Sequence, residues 1–206
     1  MTPIPQGARR VGLFGGSFDP VHDAHVALAQ NALAALALDE LRWVPAGAPW
    51  QKAGMVATAA HRAEMVRLAI AGEARFRFEP CEIERSGASY TIDTVLDLQS
   101  REPAVHWFLL LGQDQLARLH TWHRWRELVT LVDLAVAKRG GEVPRIPPEL
   151  GEARVSLTQV PLPAMAVSST EIRSRVAAGQ DILSLVPPAV ARYIAEHGLY
   201  RYPLRS

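Results

Sequence analysis

Short apolar runs recur along the chain, and longer segments of mixed polarity separate them. Runs of this length predict buried strands, and one stretch that alternates apolar and polar positions predicts a half-buried strand. The predicted strands cover residues 11–14, 41–44, 75–79, 105–111, 134–137 and 155–160. The run at 105–111 is the most apolar of them, which is typical of a strand covered on both faces.

The segments between the strands predict helices. The predicted helices lie at residues 26–38, 59–69, 95–98, 116–131, 168–173 and 187–197. Thr58 is a suitable N-cap for the second helix, where Arg62 and Arg67 lie off the apolar stripe and are expected to be solvated. Residues 81–89 are polar and contain glycine, so they predict a loop.

Strands and helices therefore alternate, and this order predicts the fold class. A strand–helix–strand unit with a long crossover implies parallel pairing. We expect an α/β protein with a doubly wound, mostly parallel, Rossmann-like sheet and helices on both faces. At 206 residues the chain suits a single domain over residues 1–206, with a short C-terminal helical portion over about 168–206.

The composition narrows the classes of partner. Hydrophobic residues make up 49% and charged residues 21% of the chain, and the net charge of +1 gives no reason to expect nucleic-acid or membrane binding. The single cysteine, Cys81, cannot form an internal disulfide and argues against a cysteine-based zinc site. Residues 1–10 lack the apolar segment of a signal peptide, and the longest apolar stretch, residues 26–38, is too short to span a bilayer. We therefore expect a cytoplasmic protein.

One stretch organises the candidate chemistry. Gly15, Gly16 and Ser17 follow the first strand, and His22 and His25 stand where the next helix should begin. Adjacent glycines allow a positive φ and a close approach of the backbone to a ligand. The unpaired amides and the dipole at a helix start attract an anion, and a phosphate suits such a cradle. At i and i+3 the two imidazoles share one face of the helix, so the sequence predicts chemistry on a bound phosphate.

Two commoner glycine motifs do not match this stretch. A dinucleotide-binding G-x-G-x-x-G pattern needs another glycine downstream, and residues 17–19 supply none. A P-loop ends in Gly-Lys-Ser/Thr, which is absent from the stretch. A tight turn with two solvent-exposed histidines is the remaining alternative, and the order of Phe-Asp-Pro and both histidines argues against it.

Further residues point toward the same edge of the predicted sheet. Gly112 and Asp114 lie just beyond the carboxyl end of the central strand, where open α/β sheets bind ligands. Arg139 follows another predicted strand. Residues 168–170 supply hydroxyl-bearing side chains at a helix start, and Arg173 lies one turn into that helix, within reach of a phosphate.

At residues 15–25 the chain resembles the nucleotidyltransferase superfamily, whose first strand is followed by a Gly-x-Phe-Asp-x-x-His-x-Gly-His segment. Ala24 replaces the usual glycine, and both histidines are retained. The downstream motifs are similar to those of bacterial nicotinate-nucleotide adenylyltransferases. These motifs are Glu84-Arg85-x-Gly87-x-Ser89-Tyr90-Thr91-x-Asp93-Thr94, Gly112-x-Asp114 with Trp122 and Trp125, Ser168-Ser169-Thr170-x-Ile172-Arg173, and Pro187-x-x-Val190-x-x-Tyr193-Ile194 with Gly198-Leu199-Tyr200. Residues 49–52 depart from the family's Pro-Pro-His-Lys, although Lys52 is kept.

The resemblance implies an adenylyltransferase that joins nicotinate mononucleotide to the AMP part of ATP, giving nicotinate adenine dinucleotide and pyrophosphate in NAD biosynthesis. It implies catalytic roles for His22, His25 and Arg173. The implied ATP-binding residues are Gly15, Gly16, Ser17, Gly112, Asp114, Arg139, Ser169 and Thr170. The implied residues for nicotinate mononucleotide are Lys52, Ser89, Tyr90, Thr91, Asp93 and Trp122. Mg²⁺ is expected to arrive with ATP, because it prefers phosphates and water to a dedicated protein site.

Several alternatives stay open. The acceptor could be nicotinamide mononucleotide or phosphopantetheine, or the chain could be a catalytically silent nucleotide-binding regulator. A zinc site at His22 and His25 lacks a third ligand. Trp122 either stacks on the pyridine ring or packs in the core, whereas Trp107 and Trp125 are expected in the core. The sequence leaves open a homo-oligomer, the selectivity between acid and amide acceptors, and the effect of the alanine in the histidine motif.

Overall fold

The computed structural model describes residues 7–47, 56–139, 145–151, 153 and 155–201. In chain order, the strands of these ranges are β1 (Arg9–Gly16), β2 (Glu40–Pro45), β3 (Phe76–Phe78), β4 (Val105–Leu111), β5 (Asp133–Arg139) and β6 (Leu157–Leu162). They form a parallel six-stranded sheet in the order β3-β2-β1-β4-β5-β6. All six predicted strands are confirmed, and their ends shift by a few residues.

Helices connect these strands. In chain order they are α1 (Asp23–Ala35), α2 (Ala59–Ile70), α3 (Cys81–Glu84), α4 (Thr91–Arg101), α5 (Gln113–Arg118), α6 (Trp125–Leu131), α7 (Pro148–Gly151), α8 (Ser169–Ala177) and α9 (Pro188–Glu196). Thr58 caps α2 as predicted, whereas the loop predicted over residues 81–89 begins with the short helix α3. Within the described ranges, no helix combines the length and the apolar character that crossing a membrane requires.

A hydrophobic core lies on each face of the sheet. Successive strand residues point to opposite faces, so Leu41 and Trp43 of β2 enter one core whereas Val44 enters the other. The first core contains side chains of α1, α2, α8 and α9, and the second contains side chains of α4, α5 and α6. Helices therefore cover both faces, which confirms the doubly wound α/β fold.

The single helix predicted over residues 116–131 is wrong. α5 ends at Arg118, a 3-10 turn follows, and α6 starts only at Trp125. Arg124, the residue before α6, has φ of 53° and ψ of 35°, a left-handed conformation that a continuous right-handed helix excludes. Trp122 therefore lies in an irregular link between two short helices.

The strand order reverses between β1 and β4. β1 pairs with β2 on one side and with β4 on the other, and the chain then builds the sheet outward in both directions. In open α/β sheets, the connections that follow two such strands diverge and leave a crevice at their carboxyl ends. Gly15 and Gly16 end β1, and Gly112 directly follows β4. The fold thus places the predicted phosphate residues at this crevice.

Candidate active site

A cavity of about 560 Å³ opens at the carboxyl edge of the sheet, beyond β1 and β4. It brings together most of the predicted site residues, which come from distant parts of the chain. Those in its lining are Gly15, Gly16, Ser17, His22, His25, Ser89, Tyr90, Thr91, Gly112, Asp114, Trp122, Ser169 and Thr170. A volume of this size is typical of sites for small molecules and cofactors.

Of the remaining predicted site residues, Asp93 and Arg173 do not lie in this lining. Arg173 is one turn into α8, and Asp93 is half-exposed on α4, with its Oδ1 3.9 Å from Nη1 of Arg124. Arg139 is the last residue of β5. Lys52 lies outside the described residues, together with the loop that contains it. The roles assigned to these residues stay predictions.

Gly15 and Gly16 belong to the end of β1 rather than to a turn. They pair with Val44 and Pro45 of β2. Neither glycine has a positive φ, so the expectation of a glycine turn with positive φ at these two residues is wrong. The left-handed residue is Phe18, with φ of 47°. A Cβ on Gly16 would lie 2.9 Å from the Phe18 ring, so the end of β1 needs a glycine where this ring packs against it. Apart from its two chain neighbours, no described residue has a heavy atom within 4 Å of where a Cβ of Gly15 would stand, and Gly15 lines the cavity.

His22 and His25 lie at the start of α1, as the sequence predicts. His22 is the N-cap residue, and its ring stacks on that of His25 with centroids 3.7 Å apart and planes inclined by 23°. The backbone N–H of His22 donates to Nδ1 of His25 over 3.2 Å. Because this Nδ1 accepts a hydrogen bond, the proton of the neutral His25 ring is on Nε2, which is then a donor.

The start of α8 contacts the glycine–histidine segment, which comprises residues 15–25. Ser168 is the N-cap of α8 and binds a backbone N–H of its first turn through its hydroxyl. The hydroxyl of Ser169 donates to the Pro20 carbonyl oxygen over 2.9 Å. Arg173 donates from Nη1 to the Asp19 carbonyl oxygen over 2.7 Å. These contacts bring two of the predicted anion-binding segments together.

Asp19 anchors the glycine–histidine segment through its buried side chain, a role that periodicity and spacing did not indicate. Its side chain is buried, with only 3% of the residue exposed. The carboxylate accepts from the backbone N–H groups of Val56 and Ala57 over 2.8 and 3.2 Å. It also accepts from the hydroxyl of Tyr200 over 2.7 Å. Burial and the neighbouring carboxylate raise the pKa of Tyr200 well above its ordinary value, so the hydroxyl stays protonated and donates.

Arg62 is fully buried, which contradicts the expectation of a solvated side chain. Its guanidinium donates to the carbonyl oxygens of Ser17 over 2.8 Å and of Gly47 over 3.3 Å. Burial lowers the pKa of Arg62, while the nearby carboxylate of Asp19 favours the charged form. Helical periodicity could not reveal this residue, because its partners are carbonyl oxygens of distant segments. A single Asp19 cluster therefore underlies the glycine–histidine segment, and it consists of Asp19, Arg62, Arg173 and Tyr200.

The opposite side of the cavity is the start of α4. Ser89 is buried, and the Tyr90 ring lies 4.5 Å from the His123 ring between centroids. Thr91 is the first residue of the helix, and the backbone N–H groups of Asp93 and Thr94 donate to the carbonyl oxygen of Tyr90 over 3.1 and 3.3 Å. The helix dipole places partial positive charge at this start. The cavity lining therefore includes a second helix start besides that of α1.

Glu82 is a buried carboxyl group on this side of the cavity that sequence reasoning missed. It accepts a hydrogen bond from the Thr94 hydroxyl over 2.9 Å, and burial raises its pKa. A Cβ on Gly47 would lie 2.0 Å from the Glu82 carbonyl oxygen, so the end of β2 and α3 approach each other too closely for any side chain there. In the sequence, the family motif that ends at Thr94 contains one partner of the hydrogen bond between Thr94 and Glu82.

Three tryptophans lie near the site, and the sequence predicts two of them, Trp107 and Trp125, to be in the core. Trp107 and Trp125 are buried in the core, with 1% and 8% of each residue exposed, which confirms that expectation. Trp122 is partly buried; it packs against the same core and also lines the cavity. Core packing of Trp122 is therefore confirmed, and stacking of its indole on a pyridine ring stays a prediction.

Comparison with known proteins agrees with this geometry. A family model described as cytidylyltransferase-like matches residues 13–175. A relative named "Probable nicotinate-nucleotide adenylyltransferase" from Methylibium petroleiphilum is 52% identical over 207 residues, covering 98% of this chain and 97% of its own. A relative of the same name from Neisseria meningitidis serogroup B is 42% identical and covers 93% and 98%.

Solved structures of low sequence identity share the fold. The Plasmodium falciparum nicotinic acid mononucleotide adenylyltransferase complexed with NaAD gives a TM-score of 0.77 at 21% identity, over 96% of this chain and 100% of that chain. The same enzyme complexed with APC gives a TM-score of 0.76 at 20% identity. Because the family model spans most of the chain and close relatives cover nearly all of it, the chain belongs to the cytidylyltransferase-like family of nucleotidyltransferases.

Proposed function

We propose that this protein is a nicotinate-nucleotide adenylyltransferase, which joins nicotinate mononucleotide to the AMP part of ATP in NAD biosynthesis. The products are nicotinate adenine dinucleotide and pyrophosphate. The main support is the presence of two helix starts in one cavity lining: α1 follows its N-cap His22 and has His25 in its first turn, and α4 follows its N-cap Tyr90 and begins at Thr91. One start suits the triphosphate of ATP, and the other suits the carboxylate of the acceptor. The names of the relatives favour the same pair of substrates.

On the ATP side, the glycine–histidine segment binds the triphosphate. The backbone of Gly15 faces the cavity without a side chain, and the first amides and the dipole of α1 attract phosphate oxygens. His25 donates from Nε2, and His22 supplies the second imidazole. We propose that the pyrophosphate end lies against the start of α8 and the nucleotide part against the strand ends. The further residues on this side are Gly16, Ser17, Gly112, Asp114, Arg139, Ser169, Thr170 and Arg173.

The reaction is an in-line displacement at the α-phosphorus of ATP. A phosphate oxygen of nicotinate mononucleotide forms the new P–O bond while the bond to the bridging oxygen of the β-phosphate breaks, and pyrophosphate leaves with that electron pair. The protein supplies position and positive charge rather than a covalent intermediate. Cys81 is a poor nucleophile, because burial raises the pKa of its thiol to about 12.

On the acceptor side, the amides at the start of α4 bind the nicotinate carboxylate, since a helix N-terminus favours negative charge. The indole of Trp122 stacks on the pyridine ring at the cavity wall. An uncharged nicotinamide gains less from the helix dipole, so the acid is the preferred acceptor. The other residues proposed for this side are Lys52, Ser89, Tyr90, Thr91 and Asp93.

MgATP is the form of the first substrate. Among the residues that the structure describes, no group of three or more His, Cys, Asp or Glu side chains is arranged to hold a metal ion. Asp114 contributes a carboxylate to the cavity lining, and Mg²⁺ prefers phosphate oxygens and water as ligands. The ion therefore enters with the nucleotide. We place the reaction in the cytoplasm, where a chain with one cysteine meets a reducing environment.

Pyrophosphate release from MgATP tests the proposal. Nicotinate mononucleotide, nicotinamide mononucleotide and phosphopantetheine are compared as acceptors at equal concentrations, with the variant carrying both His22→Ala and His25→Ala as the control for contaminating activity. We expect the acid to react fastest. A preference for the amide would retain adenylyl transfer but contradict the carboxylate role of the α4 start. Binding of ATP without pyrophosphate release in the presence of any of the three acceptors would favour a catalytically silent nucleotide-binding regulator.

A further inference from the structure

We propose that Tyr200 is a positioning residue for ATP: its hydroxyl holds Asp19, and Asp19 holds the glycine–histidine segment in the shape that receives the triphosphate. Tyr200 lies 181 positions from Asp19 along the chain, and it does not belong to the cavity lining. It therefore acts through the segment rather than on the substrate.

The first step of the argument is how Asp19 is held. From the residues that the structure describes, its carboxylate accepts three hydrogen bonds: two from the backbone N–H groups of residues 56 and 57, and one from the hydroxyl of Tyr200. The Tyr200 bond is the shortest of them, at 2.7 Å, and the only one from a side chain. A buried carboxylate that loses a donor pays for its desolvation unless it moves to another partner. The fully buried Arg62 guanidinium is a charged alternative partner, because the Asp19 carboxylate already favours its charged form.

The second step is what moves with Asp19. The same residue accepts the Arg173 hydrogen bond at its carbonyl oxygen, and its neighbour Pro20 accepts that of Ser169. Arg62 meanwhile holds the carbonyl oxygen of Ser17. A shift of the carboxylate toward Arg62 therefore disturbs the segment between Ser17 and the paired histidines, where the cavity lining receives the triphosphate.

The third step is that Tyr200 is itself fixed in place. It is 5% exposed, belongs to the core on the α9 face, and has a left-handed φ of 62°. The preceding residue, Leu199, donates from its backbone N–H to the Ile194 carbonyl oxygen over 3.0 Å, which ties this turn to α9. The hydroxyl therefore has a defined position, and a phenylalanine ring would keep the same packing without the hydroxyl.

The test compares Tyr200→Phe with the matched control Tyr193→Phe. Tyr193 lies on α9 and also uses its hydroxyl, bonding Nδ1 of His61 over 2.9 Å, away from the glycine–histidine segment. For Tyr200→Phe we expect kcat/KM for MgATP to fall about tenfold, the loss typical of a hydrogen bond to a charged group. The KM for nicotinate mononucleotide stays unchanged, because the acceptor side keeps its contacts. Tyr193→Phe leaves both constants at the wild-type value.

Thermal unfolding of both variants separates positioning from stability. If Tyr200→Phe lowers Tm but leaves kcat and the KM for MgATP unchanged well below Tm, Tyr200 is only structural and the inference is wrong. Equal loss in both variants also overturns it. Asp19→Asn, which replaces an acceptor oxygen by an NH₂ donor, should show the same loss toward MgATP, and wild-type kinetics there would contradict the inference as well.

The inference rests on the proposed function for the identity of the acceptor, and a binding measurement keeps the two apart. Calorimetric titration of MgATP into wild type and Tyr200→Phe needs no acceptor. Weaker MgATP binding by Tyr200→Phe supports the inference even if no acceptor reacts. Equal binding and equal turnover of the two proteins would overturn it while the proposed function stands.

Discussion

Charged side chains stabilise two regions of the molecule in different ways. In the amino-terminal half of the sheet they pair with one another: Arg42 Nε lies 2.6 Å from Glu40 Oε1, and its Nη1 lies 2.6 Å from Glu102 Oε1. Beneath the glycine–histidine segment, Arg62 and Arg173 bind backbone carbonyl oxygens instead. The amino-terminal pairs extend into one ion-pair network, which comprises Arg9, Glu40, Arg42, Glu79 and Glu102.

The two regions therefore have different roles: the ion-pair network stabilises the sheet, and the Asp19 cluster shapes the site. In the ion-pair network, opposite charges satisfy one another across β1, β2 and the end of α4, so their loss is a loss of folding free energy. In the Asp19 cluster, side chains bind the backbone of a segment that lines the cavity, so their loss displaces the groups that meet the substrate. We therefore expect variants of the network to change stability and variants of the site to change turnover.

The largest effect is expected at the histidines themselves. His22→Ala or His25→Ala should lower turnover by about 10²–10³-fold, as is typical when a donor that stabilises developing charge is lost. Steady-state pyrophosphate release measures this, with circular dichroism to confirm folding. Near-normal turnover by either folded variant would contradict the assignment.

His25→Asn sharpens that prediction. Its side-chain oxygen still provides an acceptor near the position of Nδ1 for the His22 N–H, but it has no donor in place of Nε2–H. If His25 acts through Nε2–H, His25→Asn is as inactive as His25→Ala. Recovery of turnover in His25→Asn would show that capping the helix is the main role.

The opposite outcome is expected in the ion-pair network. Arg42→Met removes a guanidinium whose side chain is 11% exposed and leaves Glu102 without this partner, while a residue of similar length still covers Trp107. We expect the free energy of unfolding to fall by about 2 kcal/mol, less than for a fully buried pair because Glu102 is partly solvated. Urea denaturation measures the loss, and turnover should match wild type. Reduced turnover at unchanged stability would break the contrast between the two regions.

Much of this architecture follows from the sequence because its physical cause is local. Apolar runs and one alternating stretch predicted the six strands, and the glycine–histidine order placed two imidazoles at a helix start. The break before α6 was not predictable in this way, because Arg124 adopts a left-handed conformation without a glycine or asparagine to indicate it. The helix α3 was not predicted for a different reason, because a single polar turn has too few residues to show a periodic pattern.

The supporting contacts of the site are long-range, and sequence patterns do not record them. Arg62 looked like a surface charge because its helix position is off the apolar stripe, yet it is the most deeply buried guanidinium of the site. Tyr200 matched a family motif without any indication that its hydroxyl reaches Asp19. Lining residues are thus visible from motifs, whereas the residues behind them depend on how the finished fold brings distant segments together.

Acid conditions provide a smaller test of the ion-pair network. A hydrogen bond from Arg42, opposed by some desolvation, holds the pKa of Glu102 below its ordinary value of 4.5. Because the folded pKa lies below the unfolded one, the stabilisation is complete well above pH 4.5 and is lost as pH falls through the folded pKa. The difference in unfolding free energy between wild type and Arg42→Met should therefore shrink between about pH 6 and about pH 3. A difference that stays constant over this range would contradict the role of Glu102.

The smallest effect is expected where the chain departs from its family motif. Ala24 is the second residue of α1 and is buried, with 6% exposed. Ala24→Gly should lower the unfolding free energy by about 1 kcal/mol or less, because glycine is a weaker helix former and loses the buried methyl group. Turnover should stay within about twofold of wild type, since the stacked histidines keep their backbone positions. Urea denaturation and pyrophosphate release, measured on the same preparation, give both values. A tenfold change in KM for MgATP would instead mean that the methyl group shapes the cavity wall, because Ala24 also lies in its lining.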